Sequence, residues 1–193
     1  MGHSNRGIAG THRLWRAAPE GDALVVENAS YEGLAHRRSV WFVDHAFLVM
    51  LDEAVGHAVG AVDLRFQFAP GAVQSDTETR SATTRFDDAN VLVQCFPKTA
   101  VSLREEDGWF AWDYGKRVPR KGIAFRHASG APAVFLTAVI PYRGVDRPDA
   151  RLALPAGYAA VSDRVELRAE VGGRAWRLGR DLGTGEAWMK DEG

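Results

Sequence analysis

The chain reads as an all-β protein, an antiparallel β-sandwich of two large sheets with many short strands, and three observations carry that reading. Apolar residues alternate with polar ones or come in short bursts, as in "DALVVENAS" and "AVDLRFQFA", and no stretch sustains a 3.6-residue period. The bursts are closed by Gly, Pro, Asn or Asp, in "PEGD", "FAPGA", "DDAN", "EEDGW", "ASGAP" and "VGGR", where a reversal needs unusual backbone or local side-chain bonding. With 193 residues, 46% of them hydrophobic, the chain can bury a substantial core in a single unit.

In order, the pattern predicts strands over 12–18, 22–30, 36–43, 46–54 and 61–69, then 78–86, 90–96, 100–106 and 109–115. A last block predicts 121–128, 133–142, 158–173 and 174–182. The Pro- and Arg-rich stretch "PYRGVDRPDARLALPAG" (141–157) reads as a long surface loop, because the residues from 158 onward are too few to fold alone. "GRDLGTGE" (179–186) reads as a turn, since it lacks the strand, helix and spacing of a nucleotide site. The expected organisation is a disordered or vector-derived lead-in over 1–11, one sandwich domain over 12–182 and a C-terminal tail over 183–193.

Charge and composition exclude several classes. Lys and Arg number 24 against 25 Asp and Glu, a formal charge of −1, and no basic run offers a phosphate-binding surface, so nucleic acid is not an expected partner. Cys95 is the one cysteine, which rules out an intrachain disulfide framework; its apolar context, "VLVQCF", predicts an inert core thiol. No run of about eighteen apolar residues suits a membrane span, and "MGHSNRGIAGTHRLW" lacks the apolar stretch of a secretory signal.

Three residue sets could carry chemistry. His36, Asp52 and Gln67 could hold Zn²⁺ through an imidazole, a carboxylate and, more weakly, an amide oxygen. The hairpin between two predicted strands tests this set. A two-residue turn at Asp44-His45 pairs His36 with Glu53 and puts Asp52 on the other face, whereas a three-residue loop or a bulge puts Asp52 on the face of His36. Asn28, Tyr31, Arg37 and Arg38 suit an acidic sugar, because guanidinium forks grip carboxylate or sulfate at two points and an aromatic face stacks on the ring. Consecutive arginines on a strand point to opposite faces, so at most one of them joins any one site. Trp109, Trp112, Tyr114 and Arg117 could form a sugar platform, although Trp109 and Trp112 cannot share a face in a regular strand, and core packing is the competing role for one of them. His45, His57 and His127 stand in polar, turn-like contexts and are expected on the surface.

Two stretches, "NASYEGLAHRRSVWFVDHAFLVMLDEAVGHAVGAVDLRFQFAPG" and "WDYGKRVPRKGIAFRHASGAPAVFLTAVIPYRG", together resemble the C-terminal β-sandwich region of heparinase II/III-like polysaccharide lyases, over roughly residues 12 to 145. The resemblance is carried by "HRRSV" followed by "LVMLDEA", by the "F-x-F-A-P-G" ending, and by "YG" with the later "FLTAVIPY". It implies a sandwich that closes the substrate cleft of an α/α toroid, supplied in cis or in trans, in an enzyme that cleaves uronic-acid polysaccharides by β-elimination. It also implies supporting catalytic roles for Tyr31 and His36, substrate contacts from Asn28, Arg37, Arg38, Tyr114 and Arg117, a periplasmic or secreted parent protein, and in some members a metal at positions matching His36 and Asp52. Two departures are visible: Gln67 stands where such members have a histidine as the third metal ligand, and "NASY" lacks a histidine that relatives often carry. Without a toroid, lyase activity is not expected of these residues alone. The alternatives are a stand-alone carbohydrate-binding or structural module, or a metal-dependent sandwich enzyme acting by itself.

Overall fold

The computed structural model describes residues 10–96, 100–160 and 162–193, Ser30 by its backbone alone. Every regular element among them is a strand. β1 (Thr11–Ala18), β2 (Gly21–Tyr31), β3 (Leu34–Val43) and β4 (Phe47–Gly56) follow one another as hairpins. β5 (Val62–Gln67), β6 (Val73–Asp76), β7 (Ser81–Thr84) and β8 (Ala89–Cys95) come next, then β9 (Val101–Asp113), β10 (Lys116–His127) and β11 (Ala133–Arg143). The chain closes with β12 (Ala150–Ala153), β13 (Arg164–Val171), β14 (Arg174–Asp181) and β15 (Glu186–Asp191).

The expected antiparallel sandwich is present, and it has a third layer. A central sheet of eight strands runs β1, β2, β3, β4, β11, β8, β7, β6; the others are a three-stranded sheet, β5, β10, β9, and a four-stranded sheet, β12 to β15 in sequence order. On one face of the central sheet Trp41, Val49, Leu51 and Leu136 pack against Leu167, Ala169, Leu178 and Met189 of the four-stranded sheet. On the other face Ala54, Cys95 and Phe135 pack against Leu64, Leu103, Ile123 and Phe125 of the three-stranded sheet. Strands buried on both faces lose polar alternation, which is why β4 reads "FLVMLDEA" and β11 reads "AVFLTAVI".

A buried ionic network fastens the four-stranded sheet to the centre. Arg180, fully buried, donates Nη2 to Glu53 Oε2 at 2.7 Å, Nε to Ser39 Oγ at 2.8 Å, and Nη1 to the carbonyls of Ser162 and Asp163 at 3.0 and 2.7 Å. Tyr158 donates its hydroxyl to Glu53 Oε1 at 2.5 Å. Burial raises the phenol's pKa, and the Glu53 carboxylate raises it further; burial also lowers that of the Arg180 guanidinium.

Four expectations are corrected. Residues 183–193 are not a tail: Ala187 and Met189 of β15 alternate into the core, and only residues 182–185 form the turn. The stretch 141–157 is not one long loop, since β11 runs to Arg143 and β12 pairs with β13. β6, four residues long, is too short for its alternation to show in "VQSD". "EEDGW" does not turn, because Asp107, Gly108 and Trp109 pair with Lys121, Arg120 and Pro119 and the strand continues to Asp113. Of the expected lead-in, residues 1–9 lie outside the described residues, and β1 begins at Thr11.

Candidate functional site

The connection between β3 and β4 decides which polar residues meet. Val43 pairs with Phe47, so Asp44, His45 and Ala46 form a three-residue loop. Asp44 and His45 both take left-handed backbone, at φ 50° and 52°, and Ala46 N–H donates to the Val43 carbonyl at 2.9 Å. A two-residue turn is thus ruled out. With this register Arg38 lies opposite Asp52 and His36 opposite Ala54, while Asn28 of β2 lies opposite His36. Directly paired residues share a face, so His36, Arg38, Asp52 and Asn28 all look the same way.

They look into a cleft of about 740 Å³ between the central sheet and the edge strand β5. Asp52, 2% exposed, is its buried anion. Its Oδ1 accepts from Arg38 Nε at 2.7 Å and lies 2.6 Å from His36 Nε2, so one carboxylate oxygen orients both side chains. The two Nη groups of Arg38 keep no protein partner among the described residues, and the side chain lines the cleft. Asp63 and Arg65 of β5 form part of the wall, and Tyr31, 65% exposed, and Glu32 stand at the mouth. Arg126 donates Nε and Nη2 to Asp63 at 2.7 Å each and so holds that carboxyl below its ordinary value.

Not every expected residue joins. Arg37, on the opposite face, pairs with Glu27 and reaches the Ser162 carbonyl at 3.4 Å, so it is no cleft residue. Glu53, beside Asp52 in sequence, is spent on Arg180 and Tyr158. Tyr114 and Arg117 sit at the far end of the β9–β10 hairpin. From Arg126, beside the cleft, to Arg117 is about 30 Å of extended strand. There Trp109 does not pack into the core: it is 56% exposed, with the Arg117 guanidinium 4.5 Å above its ring, and Phe110 and Trp112 stack on each other. Cys95 matches its expected role, since burial pushes its thiol up to about 12.

The zinc set does not assemble. Alternation along β5 sends Leu64, Phe66 and Phe68 toward the core and Gln67 to the solvent face, where its amide oxygen lies against Gly122. At Asp52 a metal ion would meet the Arg38 guanidinium, already hydrogen-bonded to Oδ1. Among the described residues no group of three or more His, Cys, Asp or Glu side chains is placed to hold a metal ion. Asp63 and Arg65, on the cleft wall, went unnoticed from sequence; their signal was the alternating "VDLRFQ", polar on its outer face.

A buried carboxylate that organises a histidine and an arginine in a cleft between antiparallel sheets defines a β-sandwich domain with a polar cleft. Residues 3–162 match the family model described as heparinase II/III-like, C-terminal, and the chain belongs to that family. It is 35% identical over 136 residues to a heparin-sulfate lyase of Bacteroides stercoris, covering 68% of this chain and 20% of that one. It is 27% identical over 164 residues to a heparin-sulfate lyase of Pedobacter heparinus, covering 83% of this chain and 25% of that one. A solved heparinase III structure superimposes with a TM-score of 0.83 at 29% identity, over 89% of this chain and 27% of its own. The chain therefore spans about a fifth to a quarter of the curated relatives it matches.

Proposed function

We propose that this domain forms one wall of the substrate cleft of a heparinase-type lyase, in which the rest of the catalytic machinery, a helical toroid in cis or in trans, completes the β-elimination of a uronic-acid polysaccharide. The observation that supports this reading is the meeting of His36 and Arg38 on Asp52 Oδ1 inside the cleft. In that role the Arg38 fork grips a substrate carboxylate or sulfate, which lowers the cost of the negative charge that develops when the C5 proton is removed. Asp52 fixes the ring of His36 so that its imidazole faces the same sugar, and Tyr31 at the mouth is placed to meet the leaving oxygen. Asn28 completes the polar floor. The parent lyase would act outside the cytoplasm, in the periplasm or as a secreted protein, where such polysaccharides are met.

The test is binding by the isolated domain. Heparan sulfate tetrasaccharide is expected to bind without accumulation of the ultraviolet-absorbing unsaturated uronate, and Arg38→Ala is expected to weaken binding about 10-fold or more. Binding that is indifferent to Arg38 would overturn the assignment of the cleft. Product formed by the domain alone would overturn its dependence on a helical partner.

A further inference from the structure

We propose that the solvent face of the three-stranded sheet, from Arg65 at the cleft to Phe110 and Trp112 on the β9–β10 hairpin, is a second contact surface for an anionic polysaccharide. The proposal rests on the cleft reading above and extends it along a track that the cleft does not include.

The register fixes what this face presents. With Leu64, Leu103, Ile123 and Phe125 in the core, successive rows of outward residues cross the sheet. Asp63, Arg126 and Ser102 form the first, and Arg65, Ala124 and Arg104 the second. Gln67, Gly122 and Glu106 form the third. Beyond the end of β5, Arg120 lies opposite Gly108 and Val118 opposite Phe110. The four guanidinium groups of Arg65, Arg104, Arg120 and Arg126 thus stand with only two carboxylates, Asp63 and Glu106, in a chain whose net charge is −1. Arg65 and Arg126 satisfy those two carboxylates. Arg104 has no hydrogen-bond or ion-pair partner among the described residues. Arg120 gives Nε to the Trp109 carbonyl at 2.9 Å and has no ion-pair partner among them.

The shape matches the charge. Ala124, Gly122 and Gly108 carry no long side chain of their own, and Gln67 lies over Gly122 and Arg120 over Gly108, so the surface a polymer would meet is made of the outward arginine and glutamine side chains. Phe110 and Trp112, 41% and 58% exposed, end the track with apolar ring faces on which the C–H face of a sugar can rest. Sulfates and carboxylates repeating along an extended polymer suit a row of guanidinium groups of which two, Arg104 and Arg120, have no ion-pair partner among the described residues. Because Arg65 belongs to both the cleft and the track, one polymer can engage the two surfaces, and the second contact then forms at high effective concentration.

Calorimetric titration of the 193-residue chain with heparan sulfate tetrasaccharide and dodecasaccharide tests this. The dodecasaccharide is expected to bind at least about 10-fold tighter per chain. The double variant R104Q/R120Q is expected to abolish that gain while leaving tetrasaccharide affinity and the thermal midpoint unchanged, since both side chains are solvent-accessible. R143Q, which removes a positive charge from exposed β11 sequence outside this sheet, is expected to leave the gain intact. Equal affinity for both lengths, a gain that survives R104Q/R120Q, or an equal loss in R143Q overturns the track. In the first two cases the face is instead free to lie against another part of a longer lyase chain. Tetrasaccharide binding that depends on Arg38 but shows no length gain sinks the track alone; no binding at either length sinks the cleft reading with it.

Discussion

Glu53→Gln offers the sharpest test of how the layers are held together. Arg180 is fully buried and its charge has one buried counter-ion, Glu53, at 2.7 Å; its remaining donors go to Ser39 Oγ and two carbonyls, which are neutral. The amide keeps the size of the side chain and one acceptor oxygen, so little packing is lost. What goes is the negative charge, which leaves a buried guanidinium uncompensated, and breaking a buried pair from one side costs about 3–5 kcal/mol. For a chain of this length each kcal/mol lowers the melting midpoint by roughly 2–4 °C, so calorimetry should find a fall of roughly 6–20 °C. Arg180→Met should cost a comparable amount. In the double variant the two penalties should not add, leaving a coupling energy of about 3 kcal/mol in a double-mutant cycle. A midpoint shift under about 2 °C for Glu53→Gln, or strictly additive costs, would refute the claim that the ion pair clamps the four-stranded sheet.

The geometry sets three further outcomes. Arg37→Ala should leave oligosaccharide affinity unchanged while lowering the urea midpoint, because Arg37 is largely buried on the face away from the cleft, where it pairs with Glu27 and Asp163. Cys95, with its thiol pushed up to about 12 by burial, should resist iodoacetamide at pH 8 in the folded chain and react once denaturant is added; native-state labelling at an exposed-thiol rate would contradict its burial. Asp63 titrates below its ordinary 3.8 because Arg126 hydrogen-bonds its carboxylate, so the unfolded chain takes up that proton at higher pH than the folded one. The stability it lends is complete above about pH 5 and drains away as pH falls through the lowered value, so Asp63→Asn should flatten the loss of stability on acidification, as followed by urea midpoints between pH 5 and 2.5.

Sequence patterning made most of the fold legible, because strands with one polar face announce themselves by alternation and their reversals by Gly, Asn and Asp. It failed where that link is broken. Gly108 sits in extended backbone with Arg120 lying across it, so a turn residue occurs in mid-strand. The third layer was hidden because the strands of the four-stranded sheet look like any half-buried strands; nothing in "RVELRAEV" says which face of another sheet it will cover. At the site, residue types singled out His36, Arg38 and Asp52, but whether they meet depended on loop length, which "VDHAF" does not specify, since Asp and His, unlike Gly, do not announce left-handed backbone. Gln67 and Tyr114 were drawn toward a site by their residue types and by the family resemblance; strand parity and distance along the hairpin place them away from the cleft.

The loop Asp44-His45-Ala46 carries a consequence for how this domain can change over generations. Surface turns are ordinarily where a chain absorbs gained or lost codons at little cost. Here, loss of a single codon would exchange the two sides of β4, offering Glu53 to the cleft and driving Asp52 into the layer where Arg180 waits for a partner two methylenes long. Both are carboxylates, so the exchange would conserve charge while misplacing each by one side-chain length. This exposed loop, far along the strands from the cleft, is therefore among the stretches least free to vary in length, though its residue types can drift wherever left-handed backbone is tolerated.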